Sequence, residues 1–524
     1  MRSNCATVRP VNTLELNGHD LTCGDVASCS VPLQVSVEKT ARERCRQSRY
    51  LLEQMMQRRR VLYGITTGFG DSVDTAVDPD AAAQLQQNLV QYHGIGTGPP
   101  FSPAETRAIL IVRLNALVRG ASAVREELID QLILFLNEDC LPLIPEQGSV
   151  GASGDLTPLS YVAAALCGER EVLLRGARMQ ASSALSKLGV PPLTLAAKEG
   201  LAIMNGTSVM TALAARSIHA LEICIDLATM LSAAAAELTG SDPEAFAPAV
   251  HAMKPHSGQG ETADLMYRFI PTSPEGNPVL PGPDSFSDAP VTLPYRIQAP
   301  YSIRCAPHVI GPARDVLAVC RQWITVELNS SNDNPLFDAE QEAVYFAGHF
   351  YGGQVVIAAD TLRNALATVG ELIDKQCLLL LDSRRSGLPS NLLADEYRAS
   401  GNHGLKALGI TVSALAAEIA HLSAPVAPHT RPTESMNQDI VSMGTIAARR
   451  LRESVDLFVR QLAMQCLVIA AGCDCYGIDR AGPSLRRLYD AIRCYSEPLS
   501  HDRPLDEDAA ALAEVIRTGS LLPD

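Results

Sequence analysis

Gly148-Ser149-Val150-Gly151-Ala152-Ser153-Gly154-Asp155-Leu156-Thr157-Pro158 is the stretch on which the reading of this chain turns. Thr157-Pro158 has the form of a helix cap followed by a first helical residue, and it predicts a helix running to about Gly168. A Gly-Ala-Ser-Gly turn then lies beside a helix N-terminus, where free backbone N–H groups and the helix dipole favour negative charge.

Three readings of that turn compete. A nucleophilic serine of the G-x-S-x-G type needs a glycine two residues after Ser153, where Asp155 stands, and a preceding strand that the pattern lacks. A plain flexible loop is the second. The third is backbone cyclisation, in which the amide nitrogen of Gly154 attacks the carbonyl carbon of Ala152. Glycine is required there because the turn is too tight for a Cβ. Loss of two waters leaves Ser153 as an exocyclic methylene, forming 4-methylidene-imidazol-5-one (MIO), an electrophile made from the chain itself.

Outward from this turn, the pattern is helical. Ser102-Pro103-Ala104-Glu105 has the form of a capping box with proline at the first helical position, Leu110, Leu114, Leu117 and Val118 follow on one face, and Gly120 is a stop. Longer helical patterns run over about 210–239, 355–381, 408–423 and 443–471, which predicts an elongated bundle. The segment 35–60 is helical and basic (Arg42, Arg44, Arg46, Arg49, Arg58 to Arg60), by default a solvated face. Residues 271–300 hold eight prolines and predict a loop. Residues 1 to about 30 form a polar, Cys-containing extension with weak periodicity and are assigned no structure.

Composition agrees. The chain has 524 residues, 47% of them apolar and 19% charged, enough for two or more folded sub-structures. Aromatics are only 5%, with the single tryptophan Trp323, so the core is built of Ala, Leu, Val and Ile, which suits close helix packing better than a β-sandwich. The expected organisation is an N-terminal extension over 1–30, an MIO-bearing domain over 31–205 and a helical bundle over 206–524. A net charge of −15 argues against nucleic acid or an anionic membrane as partner. The apolar run Met210–Leu238 contains Arg216, His219, Glu222 and Asp226, which marks a buried bundle helix rather than a membrane span. Fourteen cysteines form no C-x-x-C and no zinc-type spacing with His, so no metal is expected; Cys473 and Cys475 read as structural. Without an apolar leader, a reducing cytoplasmic setting is the simplest expectation.

The longer motifs bring in a resemblance. Tyr63-Gly64-Ile65-Thr66-Thr67-Gly68-Phe69-Gly70, Gly151 to Leu159, Asn205-Gly206-Thr207 and Lys254-Pro255-His256-Ser257-Gly258-Gln259 occur in order, followed by Tyr301-Ser302-Ile303-Arg304-Cys305, Asn332-Asp333-Asn334-Pro335 and Asn437-Gln438-Asp439-Ile440-Val441-Ser442. Over about residues 35–520 the chain resembles the MIO-dependent aromatic amino acid lyases and 2,3-aminomutases. The resemblance implies a mainly α fold of the fumarase/aspartase-like type, a homotetramer with sites built from more than one subunit, and MIO formed from Ala152, Ser153 and Gly154. It implies Tyr63 as the base for the β-proton; because a phenol normally titrates near 10, that role requires a pKa shifted down by neighbours or a helix end. It implies Arg304 as a two-pronged grip on the substrate carboxylate, and Tyr301 and Asn205 beside the MIO. Gly70, Phe350, Asn437 and Gln438 would line or orient the substrate. Tyr92-His93 matches the pair at the ring end of the pocket, where a polar partner suits a substrate hydroxyl; a His capping a loop before Gly94 is the plainer alternative.

Two departures stand out. Ala347-Gly348-His349-Phe350 carries His where many relatives carry Asn. Asn437-Gln438-Asp439-Ile440 lacks the extra acidic residue usual in the N-Q-E-D-H segment of histidine-specific lyases, which disfavours an imidazole pocket. The expected reaction is non-oxidative deamination of an aromatic L-amino acid, tyrosine to p-coumarate first. A 2,3-aminomutase, a histidine ammonia-lyase and a catalytically dead scaffold are the alternatives.

Overall fold

The computed structural model describes residues 13–271 and 298–521, and these are mainly α-helical. The proline-rich segment read as a loop lies almost wholly outside the described residues. The chain divides into two units that are discontinuous in sequence: 1–219 with 320–360 and 425–452, and 220–319 with 361–424 and 453–524.

The centre of the first unit is the helix Pro103–Val118. It begins as its sequence dictates: the Ser102 hydroxyl accepts from the Glu105 N–H at 3.3 Å, and the Glu105 carboxylate accepts from the Ser102 N–H at 2.8 Å. Every residue from Glu105 to Val118 is buried, so this helix has no solvent face. The helices Lys39–Gln57, Glu126–Asn137 and Glu199–Met204 pack around it. Its polar residues are tied to distant backbone: Asn115 Nδ2 donates to the Leu328 carbonyl at 2.9 Å, and Asn115 Oδ1 accepts from the Gly18 N–H at 3.0 Å.

The structure corrects the reading of the N-terminal segment. Thr13–Leu16 forms a strand parallel to Gln34–Val37, with Leu14 opposite Val35. A helix Cys23–Ser28 follows a Thr22/Asp25 capping box that the sequence already contained. The basic face of Lys39–Gln57 is not simply solvated. Arg44 donates to the Asn17 carbonyl at 2.6 Å and Arg49 to the Ala197 carbonyl at 3.0 Å, while Arg42 pairs with Asp130 at 2.8 Å. Long cationic stems reach backbone acceptors that local spacing cannot reveal.

In the second unit Ala and Gly let helix backbones approach closely. Gln461 Nε2 donates to the Gly370 carbonyl at 2.8 Å, where a Cβ on Gly370 would already stand 3.1 Å from Gln461 Oε1. Gln376 is fully buried and joins three elements: it donates to Ser232 Oγ and to the Ser302 carbonyl, both at 2.9 Å, and accepts from Gln465 Nε2 at 2.8 Å. This buried amide network ties helices together within an otherwise apolar core, although the Oε1 atoms of Gln461 and Gln465 have no partner among the described residues.

The long helical patterns are found as Ser208–Leu238, Gly353–Leu381, Lys406–His421 and Gly444–Tyr476. Ser208–Leu238 and Gly444–Tyr476 have the length and hydropathy of membrane spans, yet most of their apolar windows are buried in the fold. The described cysteines are free thiols.

Candidate active site

The helix after the Ala152-Ser153-Gly154 turn is Leu156–Leu166, starting just before the residues expected to cap it. Thr157 and Pro158 lie in its first turn, where a missing N–H costs nothing. Asp155 precedes it but turns its side chain elsewhere. Its carboxylate accepts from the Val209 and Met210 N–H groups at 2.9 and 3.0 Å, from Ser149 Oγ at 3.2 Å and from the Thr445 hydroxyl. It therefore caps the helix Ser208–Leu238 instead. Burial raises the Asp155 carboxyl to about 6, and these donors offset part of that rise.

The turn itself is wound left-handed, with φ of +77° at Gly151, +57° at Ser153 and +75° at Gly154. It is held on one side by Asp155 N–H donating to the Gly206 carbonyl at 2.8 Å. On the other side the Ser153 carbonyl accepts from Asn205 Nδ2 at 2.8 Å and from the Gly206 N–H at 3.3 Å. A Cβ on Gly154 would sit 2.2 Å from the Gly206 carbonyl oxygen, so only glycine fits. Asn205 Oδ1, an acceptor beside the turn, is buried with no hydrogen-bond partner among the described residues. A strained glycine turn with two donors on its central carbonyl and an unsatisfied acceptor alongside suits a backbone-derived prosthetic group.

Ser153 lines a cavity in the first unit together with Tyr63, Gly70, Tyr92, His93 and Asn205, and Phe350 and Gln438 line it as well. An adjoining cavity shares Tyr63, Ser153, Phe350 and Gln438 and adds Ala152 and Asn437. Residues scattered over nearly 400 positions thus meet at one place. Tyr63 is set by the hydroxyls of its own motif: Thr66 Oγ1 accepts from the Leu62 N–H at 2.8 Å and Thr67 Oγ1 from the Gly64 N–H at 3.0 Å. The Tyr63 hydroxyl accepts from the Gly70 N–H at 3.2 Å.

The phenol is not lowered as expected. Burial pushes the Tyr63 pKa up, the Gly70 N–H opposes this, and the Glu434 carboxylate adds to the rise. Among the described residues, no positive group is one of the causes acting on the Tyr63 phenol.

His93 ends the helix Ala82–Tyr92. Its Nδ1 lies 2.9 Å from the Leu89 carbonyl, which can only accept, so Nδ1 carries the proton and Nε2 is the acceptor of the neutral ring. Burial lowers its pKa and keeps it neutral. The capping alternative and the pocket role thus use different nitrogens. The Tyr92 ring packs on His93 at a centroid distance of 4.4 Å.

Tyr301 and Arg304 are not among the residues lining either cavity. They belong to the second unit, on the short helix Tyr301–Arg304, where Tyr301 is 71% exposed and the Arg304 guanidinium lies 4.7 Å from its ring centroid. His349, the departure noted above, does not line the cavities, whereas its neighbours Gly348 and Phe350 do.

Among the lining residues to which the sequence reading gave no role, Asn334 and Glu434 bear an amide and a carboxylate. Asn334 was visible within a recognised motif but given no role; its Oδ1 accepts from the Ala347 N–H at 2.9 Å. Glu434 had no signal at all. Its carboxylate is brought against Gly70 by three successive left-handed residues, Glu434, Ser435 and Met436, with φ of +46°, +52° and +72°; a Cβ on Gly70 would overlap Glu434 Oε2. An acidic group does enter the pocket, from a position other than the one whose absence argued against imidazole.

Comparison with known proteins defines the class. A family profile for aromatic amino acid lyases matches residues 21–494. The histidine ammonia-lyase of Symbiobacterium thermophilum is 35% identical over 513 residues, 98% of each chain. Among solved structures, tyrosine aminomutase from Streptomyces globisporus superposes with a TM-score of 0.89 at 32% identity, covering 97% of each chain. Phenylalanine aminomutase from Pantoea agglomerans does so with 0.90 at 31% identity, covering 98% of this chain and 100% of the other. The chain belongs to the aromatic amino acid lyase family, which uses the MIO group, and its fold is of the fumarase/aspartase-like helical class. It is a carbon–nitrogen lyase.

Proposed function

We propose that this enzyme removes ammonia from L-tyrosine to give p-coumarate, using MIO formed from Ala152, Ser153 and Gly154. The observation that carries the choice of substrate is His93, neutral, with Nε2 the available acceptor in the same cavity as Tyr63 and Ser153. A phenolic O–H donates to that nitrogen, whereas a phenyl ring leaves it unpaired at a cost of about 1–3 kcal/mol.

The MIO supplies an electrophile that activates the substrate for loss of its ammonium group. Asn205 and the Gly206 N–H hold the Ser153 carbonyl, and Asn205 Oδ1 is free to accept one further donor. Tyr63, as phenolate, takes the β-proton. Phe350 walls the pocket, and Gln438 and Asn437 orient polar groups of the substrate. Gln438 Oε1 accepts from Thr433 Oγ1 at 2.6 Å, which fixes the amide so that its N–H groups are left for substrate. Tyr301 and Arg304 act from another copy of the chain in a homotetramer. A guanidinium arriving that way grips the carboxylate and supplies the positive charge that lowers the Tyr63 phenol.

L-Histidine is the second reading. It is favoured by the Glu434 carboxylate in the cavity, an acceptor for an imidazole N–H, and by the names of curated relatives. A 2,3-aminomutase is the third, favoured by the names of the solved neighbours. Incubation with L-Tyr, L-His, L-Phe and L-Trp decides among them. p-Coumarate absorbance with L-Tyr alone supports the proposal. Urocanate from L-His, or β-amino acid found by chromatography, replaces it with the second or third reading.

A further inference from the structure

Beside the Asn205–Gly206 peptide lies a cation that the chemistry above does not use. Arg113 sits within the helix Pro103–Val118 and is completely buried. Its Nη1 donates to the Asn205 carbonyl at 3.0 Å, while Nε and Nη2 have no hydrogen-bond partner among the described residues. The facing carboxylates are Asp333 and Asp155, and Asp333 is already paired with the buried Lys198 at 2.5 Å. A guanidinium with two unbonded nitrogens in the interior is costly, and an apolar chain of the same length would be easier to bury. Burial lowers its pKa only to about 10, so it stays charged near neutral pH.

The peptide that Arg113 touches is the one that touches the turn. The Asn205 carbonyl accepts from Arg113, and the N–H of the same peptide, that of Gly206, donates to the Ser153 carbonyl at 3.3 Å. Hydrogen bonds in series across a peptide polarise one another, and a cation at the carbonyl end makes the N–H a stronger donor. Gly206 permits this approach: a Cβ there would stand 2.1 Å from Arg113 Nη1. The Ser153 carbonyl adjoins the Cα whose proton must leave for Ser153 to lose water. Donors on that oxygen withdraw electrons and acidify the Cα–H.

We propose that Arg113 is a positioning residue for maturation of the Ala152-Ser153-Gly154 turn, acting through the Asn205–Gly206 peptide to strengthen the donors on the Ser153 carbonyl and so speed loss of water from Ser153. In that step the Cα–H and Cβ–OH bonds of Ser153 break and a Cα=Cβ bond forms. The proton passes to solvent and the hydroxyl leaves with a proton from solvent, for a net loss of one water. The inference rests on the MIO reading.

The test compares Arg113→Lys with Arg113→Met, two unbranched chains of similar size that differ in charge. After a pulse of synthesis, mass spectrometry of the peptide spanning residues 152–154 follows the loss of water, and near-ultraviolet difference absorbance follows the electrophile. Arg113→Lys is expected to mature at close to the wild-type rate and Arg113→Met about tenfold more slowly, as for the loss of one charged hydrogen bond, while both melt at similar temperatures. Arg113→Met keeping pace with Arg113→Lys overturns the proposal, because shape alone would then suffice. Should Arg113→Met not fold, Arg113→Gln replaces it, and parity with wild type overturns the proposal equally. A wild-type chain that retains both waters overturns the MIO reading and this inference with it; a Met variant that matures at the wild-type rate overturns this inference alone.

Discussion

Gly154→Ala places a methyl group where the fold has no room. The backbone at Gly154 has φ +75°, which costs a residue with a side chain about 1 kcal/mol. The added Cβ would lie 2.2 Å from the Gly206 carbonyl oxygen, 2.4 Å from its carbon and 2.7 Å from its nitrogen. All three are backbone atoms and cannot rotate away. The turn relieves the clash only by moving off Gly206, which breaks the 2.8 Å bond from Asp155 N–H to the Gly206 carbonyl and the 3.3 Å bond from Gly206 N–H to Ser153. Each is worth about 1 kcal/mol, so the substitution raises the barrier to ring closure by about 3 kcal/mol, roughly a hundredfold in rate. Gly189→Ala is the control. Its φ is +72° with nothing within 4 Å of the added Cβ, so it bears the conformational cost alone and leaves maturation untouched. Intact mass after timed expression measures the loss of two waters in each variant. Wild-type dehydration in Gly154→Ala would refute the steric reasoning.

The remaining predictions test individual groups. Tyr63→Phe is expected to lower kcat by at least about a hundredfold while the two-water mass deficit persists; a rise in KM alone would make Tyr63 a binding residue. His93→Phe is expected to lower kcat/KM for L-Tyr relative to L-Phe by about tenfold for each 1.4 kcal/mol lost, and an unchanged ratio would remove His93 from ring selection. The Asp155 carboxyl rises from 3.8 to about 6 on folding. A raised folded pKa adds stability at acid pH, and that increment is lost as pH rises through about 6. The unfolding free energy of wild type relative to Asp155→Asn should therefore fall by up to about 3 kcal/mol between pH 4 and pH 7. Urea melts across that range giving a flat difference would show that folding leaves the Asp155 pKa where it is in the unfolded chain.

Much of the site could be read from contiguous residues, because the chemistry demands contiguity. A backbone ring needs Ala152, Ser153 and Gly154 in a row, and Tyr63 needs the Thr66 and Thr67 hydroxyls of its own motif to hold its turn. Glu434 illustrates what could not be read. It stands three residues before Asn437, yet it reaches the pocket only through the left-handed run at Glu434–Met436, a conformation that Glu, Ser and Met do not advertise. Tyr301 and Arg304 show the converse: their motif was evident, but a motif does not say which cavity its residues line.

The sequence by itself determined the long helices and the glycine turn around Ser153, since capping boxes, 3.6-residue periodicity and glycine placement act between residues a few positions apart. Only the tertiary structure decided that Asp155 caps Ser208–Leu238 rather than its own helix, that Arg113 bonds the Asn205 carbonyl 92 residues away, and that burial raises rather than lowers the Tyr63 phenol. Those outcomes depend on which chain segments displace water from one another. Desolvation and long-range hydrogen bonding come into being only when distant segments pack, and no local pattern encodes them.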